Sequence, residues 1–168
     1  LNRIPILDKN SVRLFKQILA IKKPRTFLEI GTAIAYSALV AASVLNEKVI
    51  VETIEKSKDN VVKAKRYIEK SEFGKQVKIL EGDALSILPK LKKKYDFVFL
   101  DADKEDYIDL FGMIVPIIKK NGILFVDNLL WHGYAAKREI PEKYIRGAEN
   151  IREFNQILLN SSELESEI

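Results

Sequence analysis

The sequence predicts a doubly wound α/β fold, a mostly parallel sheet with helices on both faces. Short apolar runs rich in β-formers alternate with stretches of helical period, the pattern of βαβ units. The run Phe97-Val98-Phe99-Leu100 is apolar on both faces of a strand, as a central buried strand must be. Two strands end in acidic and amide side chains, at Asp101 and Asp103 and again at Asp127 and Asn128. In an open parallel sheet the carboxyl ends of neighbouring strands share one rim, so Asp101, Asp127 and Asn128 are expected to converge. Three hard oxygen donors at one rim point to a divalent metal.

Asp8 or Ser11 caps a first helix over 8–23 that sets Val12, Phe15, Ile18 and Leu19 on one face, and Pro24 ends it. Residues 26–30 read as the first strand. A helix over 35–45 leads to a second strand at 49–54, and Ser57 caps a lysine-rich amphipathic helix that reaches Ser71, with Gly74 closing the unit. Residues 77–80 form a third strand, Leu85, Leu88 and Leu91 mark a short helix, and 96–100 is the fourth strand. The stretch 104–119 reads as a helix with Pro116 in its last turn or at a kink, 123–126 as the fifth strand, and Ile151, Phe154, Ile157 and Leu158 mark a final helix. Right-handed crossovers between such strands give the doubly wound sheet.

With 168 residues, 47% hydrophobic and 31% charged, the chain fits one globular domain over 1–168. No apolar run approaches the roughly 20 residues that span a bilayer, and no secretory apolar segment opens the chain. A soluble, cytoplasmic protein without a membrane partner is therefore expected. The lack of cysteine removes disulfides, thiolate nucleophiles and zinc-thiolate sites, and the lone His132 cannot build a polyhistidine centre. A bound metal must be held by oxygen. The chain opens on Leu1 and stops at Ile168 in a polar stretch, so both ends are read as open to continuation. The net charge of +4 suits a polyanion, with Lys22, Lys23, Arg25, Lys90, Lys92, Lys93, Lys94, Lys137 and Arg138 as candidate contacts. The stronger reading puts the lysine runs before Pro24, Tyr95 and Gly122 at helix C-termini, where cations complement the helix dipole.

The first strand-to-helix turn, Leu28-Glu29-Ile30-Gly31-Thr32-Ala33, holds one glycine where a dinucleotide-binding turn would hold three. That disfavours NAD and leaves room for a cofactor without phosphates. Glu55, ending the second strand, stands where a carboxylate accepts both hydroxyls of a ribose. Gly82-Asp83-Ala84, after the third strand, can bracket an adenine. With Phe99-Leu100-Asp101-Ala102-Asp103-Lys104-Glu105-Asp106-Tyr107 and Val126-Asp127-Asn128-Leu129-Leu130-Trp131-His132-Gly133, and with Ala35-Tyr36-Ser37 after the first turn, these segments come in a telling order. The chain resembles the catechol-type and caffeoyl-coenzyme-A-type S-adenosylmethionine-dependent O-methyltransferases, in particular their short bacterial branch, which includes tRNA 5-hydroxyuridine methyltransferases.

The resemblance implies a Rossmann-like methyltransferase sheet in the order 3-2-1-4-5. The family's final strand pair, which follows the last helix, has no counterpart before Ile168. It also implies that Glu29, Gly31 and Ser37 surround the methionine part of S-adenosylmethionine, Glu55 the ribose, and Asp83 with Ala84 the adenine. Asp101, Asp127 and Asn128 would ligate Mg2+ or a similar divalent ion, Asp101 would also face the cofactor, and Lys104 with Asp101 would be catalytic, Lys104 as the base. Where the family usually carries glycine this chain has Ala35. A homodimer is expected on the same ground.

These residues suit methyl transfer because an oxygen attacks a sulfonium methyl best as an oxyanion, while a phenol or enol near pH 7 keeps its proton. A dication with open coordination positions can take two vicinal substrate oxygens and acidify one, and Lys104 beside it is expected to receive the proton. The acceptor is read as a small catechol-like molecule, with 5-hydroxyuridine in tRNA as the alternative. A non-catalytic S-adenosylmethionine-binding module is a third reading, against which the cluster of Asp101, Lys104, Asp127 and Asn128 speaks. Trp131 and His132 either wall the acceptor or anchor a loop, and Tyr107 is read as packing between helix and rim.

Overall fold

The computed structural model describes residues 7–168, in which strands and helices alternate as far as the last helix. Helix α1 spans Lys9–Lys22; the Asp8 carboxylate accepts from the amides of Asn10 (2.8 Å) and Ser11 (3.3 Å), and Lys23 turns left-handed to end it just before Pro24. Then follow β1 (Phe27–Ile30), α2 (Tyr36–Ala42), β2 (Val51–Glu55), α3 (Lys58–Lys70), β3 (Val77–Glu81), α4 (Ala84–Ile87), β4 (Tyr95–Leu100), α5 (Tyr107–Ile114), β5 (Ile118–Val126) and α6 (Ile145–Leu159). Ser57 caps α3, as its position before the amphipathic run requires.

The sheet order is β3-β2-β1-β4-β5 and every pairing is parallel, so the expected α/β fold and strand order hold. Helices α1, α2 and α3 cover one face, where the rings of Phe15, Phe27, Phe97, Phe99 and Phe125 meet at 5.1 to 6.3 Å between centroids. Helices α5 and α6 cover the other, with Tyr107, Phe111 and Phe154 in edge-to-face contact.

The helix expected over 104–119 is shorter. A 3-10 turn over Lys104–Asp106 leads into α5, which gives way at Val115 to a second 3-10 turn, and Ile118 already belongs to β5. Pro116 lacks the amide that a continuing helix needs, and the helical spacing of Leu110, Phe111, Ile114 and Ile117 runs on past the break and conceals it. The strand expected from residue 123 therefore starts earlier and carries a bulge: Tyr95 pairs with Ile118, then Phe97 with Ile123. Asn121 turns left-handed inside it. Lys119 and Lys120 thus sit in a strand, not at a helix C-terminus, and Lys119 pairs with Asp96 at 3.1 Å. The outer edge of β5 has no strand partner among the described residues and borders a groove of about 1100 Å³ lined by α1 and residues 163–168. No helix among the described residues is long and apolar enough to cross a membrane.

Candidate active site

All the strand tips continue the ladder one step beyond the sheet. The amide of Gly82 donates to Glu55 O (2.9 Å), Gly31 to Ile54 O (3.0 Å), Asp101 to Ile30 O (2.9 Å) and Asp127 to Leu100 O (3.0 Å). This aligns the ends of β3, β2, β1, β4 and β5 along one rim. Gly31 sits there with φ 102°, and a Cβ on it would stand 1.8 Å from the carbonyl oxygen of Asp101. The glycine is thus dictated first by the crossing of the β1 and β4 tips. Ala33 (φ 46°) and Ala35 (φ 65°) follow in left-handed conformations, and Ala35 caps α2 without a side-chain hydrogen bond.

Glu29, one residue before the tip of β1, is fully buried. Its Oε2 accepts from the Thr53 hydroxyl across the β1–β2 pair, and the Thr53 and Thr32 hydroxyls lie 2.6 Å apart, so a buried chain of oxygens runs from Glu29 to the turn after Gly31. Burial pushes the Glu29 carboxyl up to about 8; the Ser37 and Thr53 hydroxyls pull it down, and the charges of Asp101 and Glu55 add to the rise. Glu55 accepts from the Ala33 amide at Oε2 and the Ser57 amide at Oε1, both at 2.8 Å, so it ties the β1–α2 turn to the start of α3. A carboxylate has lone pairs to spare for ribose hydroxyls after both contacts. Asp83 is exposed and caps α4 by accepting from Leu85 N at 2.9 Å, with half-buried Ala84 behind it.

At the β4 and β5 tips Lys104 is the hub. Its Nζ donates to Asp101 Oδ1 (3.1 Å), the Ala102 carbonyl (3.1 Å) and the Tyr107 hydroxyl (2.7 Å). Tyr107 reaches on to the Asp127 carbonyl at 3.2 Å. Burial, and after it the charges of Asp101 and Asp127, hold the Tyr107 phenol well above its ordinary range. Burial also raises the Asp127 carboxyl, with the Asp101 charge second, while the Asn128 amide, 2.7 Å from Oδ1, lowers it. Asp101 and Asp127 at adjacent strand tips, with the Asn128 amide next in the chain, form an oxygen donor set suited to a hard cation. No group of three or more His, Cys, Asp or Glu side chains that could hold a metal ion is present among the described residues, so a third ligand beside Asp101 and Asp127 would have to come from another residue type such as Asn128.

Asn128 is left-handed (φ 64°) and turns the chain into residues 129–137, which α6 clamps. Asn155 Nδ2 donates to Leu129 O at 2.9 Å, and Arg152 donates to the carbonyls of Ala135 (2.9 Å), Tyr134 (3.2 Å) and Lys137. The Trp131 indole lies flat against Gly147 of α6, where a Cβ would meet it at 2.9 Å, which favours the anchoring role over that of an acceptor wall. The side chain of His132 lies outside the described residues. The sequence reading missed the Tyr107 hydroxyl, Arg152, Asn155 and the Thr32–Thr53 link. Tyr107 alone left a trace, its spacing of three from Lys104 at a helix start.

Comparison with known proteins gives this arrangement a setting. A family model described as O-methyltransferase matches residues 5–167. A caffeoyl-CoA O-methyltransferase of Populus kitakamiensis is 30% identical over 164 residues, 93% of this chain and 69% of that protein. Among solved structures, a Staphylococcus aureus protein provisionally named a caffeoyl-CoA O-methyltransferase superposes with a TM-score of 0.88 at 31% identity, covering 95% of this chain and 78% of that one. The O-methyltransferase TomG of Streptomyces achromogenes, involved in tomaymycin synthesis and solved in complex with SAM, superposes with a TM-score of 0.83 at 25% identity over 96% of this chain and 73% of that one.

Proposed function

This chain belongs to the O-methyltransferase family, and on that premise we propose that it moves the methyl of S-adenosylmethionine to a hydroxyl standing beside a second oxygen on a small catechol-like acceptor. The observation that carries this is the meeting of Asp101, Lys104, Asp127 and Asn128 at two adjacent strand tips, beside the Gly31 turn. Asp101, Asp127 and Asn128 would hold a divalent ion such as Mg2+, which when bound supplies the charge that makes the acceptor hydroxyl acidic.

The rest is work for the chain's own groups. Gly31 and the turn through Ala33 offer backbone to the methionine part, with Glu29 and Ser37 behind it; Glu55, already fixed by two amides, takes the ribose, and Asp83 with Ala84 flanks the adenine. Lys104, as the free amine, takes the acceptor's proton at Nζ. Holding the nucleophile near the sulfonium methyl supplies much of the remaining acceleration. A tRNA acceptor has less behind it, because the Trp131 ring, the aromatic beside the rim on which a base could stack, is packed on Gly147 of α6.

Methyl transfer to catechol and to hypomodified tRNA, with magnesium and after chelation, tests the reading. Transfer to catechol that stops on chelation and returns with magnesium supports it. Asp127→Ala should then lose turnover at any magnesium concentration while S-adenosylmethionine affinity, by calorimetry, changes by no more than about threefold, or ~0.7 kcal/mol. Transfer to tRNA alone would replace the acceptor, and turnover that survives chelation would remove the metal.

A further inference from the structure

Resting on the reading of Lys104 as proton acceptor, we propose that Tyr107 is a positioning residue, whose buried hydroxyl fixes the Lys104 amine to the tip of β5. Tyr107 is wholly buried, and its ring meets Phe154 edge-to-face at 5.2 Å, a contact that a phenylalanine would make equally well. The hydroxyl needs another explanation, since a buried hydroxyl costs stability unless it is bonded. Its neighbours are Lys104 Nζ at 2.7 Å, the Asp127 carbonyl at 3.2 Å and the Leu100 carbonyl at 3.5 Å.

A phenol has one proton, and two of those neighbours can only accept it. The nearer is Asp127 O, so the hydroxyl donates to β5 and accepts from Lys104. This direction has a chemical consequence. While its own proton lies on the Asp127 carbonyl, Tyr107 accepts from Lys104, so it holds the nitrogen in place and leaves the amine's lone pair for the acceptor's proton. Asp101 cannot serve the same purpose once its carboxylate has another partner. The Lys104 side chain is long and flexible, and without the hydroxyl it keeps only the Ala102 carbonyl, Asp101 and the face of the ring at 4.6 Å, none of which ties it to β5. Because the hydroxyl bonds to the backbone of Asp127, the base is referenced to the strand that also carries Asp127 and Asn128.

Tyr107→Phe keeps the ring and removes only the anchor. Misplacing a catalytic group by about 1 Å costs on the order of 100-fold, so kcat should fall by about 10- to 100-fold while KM for S-adenosylmethionine and for the acceptor stays within about twofold. In the same variant, acetylation of Lys104 by acetic anhydride, read residue by residue by mass spectrometry, should speed up several-fold while that of Lys119, paired with Asp96, does not change. Unchanged labelling of Lys104, an equal gain at Lys119, or a rise in KM at constant kcat would each overturn the assignment. Lys104→Met, measured alongside, separates the two ideas. A near-parental rate in Lys104→Met rejects Lys104 as the base; a slow Lys104→Met beside a parental Tyr107→Phe rejects only the anchor.

Discussion

Glu29→Gln should change stability in a way that grows with pH. The Glu29 carboxyl is wholly buried and pushed up to about 8, against an ordinary 4.5 in the unfolded chain. A group whose folded pKa is raised contributes its full stability below the unfolded value and loses it as pH rises through the folded one, so the window is pH 4.5 to 8. Integrated over that window, the folded protein gives up at most about 5 kcal/mol, of which roughly 3 kcal/mol is already gone at pH 7. Glutamine carries no charge to desolvate, and its amide oxygen can still accept from Thr53. Its NH2 must find an acceptor, for which the Ser37 hydroxyl beside the carboxyl is the candidate, and failing that costs about 1–3 kcal/mol. Urea unfolding at pH 5, 7 and 8.5 reads the balance: the variant should be equal to the parent or weaker at pH 5 and stronger by about 2–4 kcal/mol at pH 8.5. A difference between variant and parent that stays constant from pH 5 to 8.5 would refute the reasoning, because Glu29 would then not titrate in that window.

The same carboxyl links proton and cofactor. If Glu29 faces the methionine ammonium, S-adenosylmethionine binding at pH 7 should release a proton from the parent and none from Glu29→Gln, seen as a binding heat that differs between phosphate and Tris buffers. Gly31→Ala forces a Cβ against the Asp101 carbonyl at φ 102°, so thermal melting should show a loss of at least about 2 kcal/mol, together with lost cofactor binding. Arg152→Met removes the donors that hold the carbonyls of Tyr134, Ala135 and Lys137; hydrogen exchange should quicken over 129–137 while protection of β1 and β4 stays as it was.

Much of this molecule was legible because the relevant chemistry lies along single strands. β1, β4 and the end of β5 are mostly apolar, broken only by Glu29 and Asp96, and stop at an acid or a glycine; a parallel sheet brings such stops to one rim, so Asp101, Asp127 and Asn128 are placed together without knowing a side-chain direction. The end of α5 was not legible, because the apolar spacing on either side of Pro116 is continuous and only the missing amide breaks it. Tyr107, Arg152 and Asn155 escaped for another reason: what they do depends on carbonyls of Asp127, Leu129 and residues 134–137, contacts set by how α5 and α6 lie over the sheet. Ala35 stands where the family usually carries glycine, and its left-handed φ of 65° shows what the glycine would ease.

The five phenylalanines gather under α1 and α2, while Lys104's anchor and the clamp on 129–137 belong to the side of α5 and α6. Helix α6 buries Ala148, Ile151, Phe154 and Leu158 on one side and holds the loop over 129–137 through Arg152 and Asn155, so one helix serves both the core and the loop beside the rim. A lineage that recasts this loop can work through Arg152 and Asn155, whereas any change to the apolar stripe of the same helix is registered in the melting temperature.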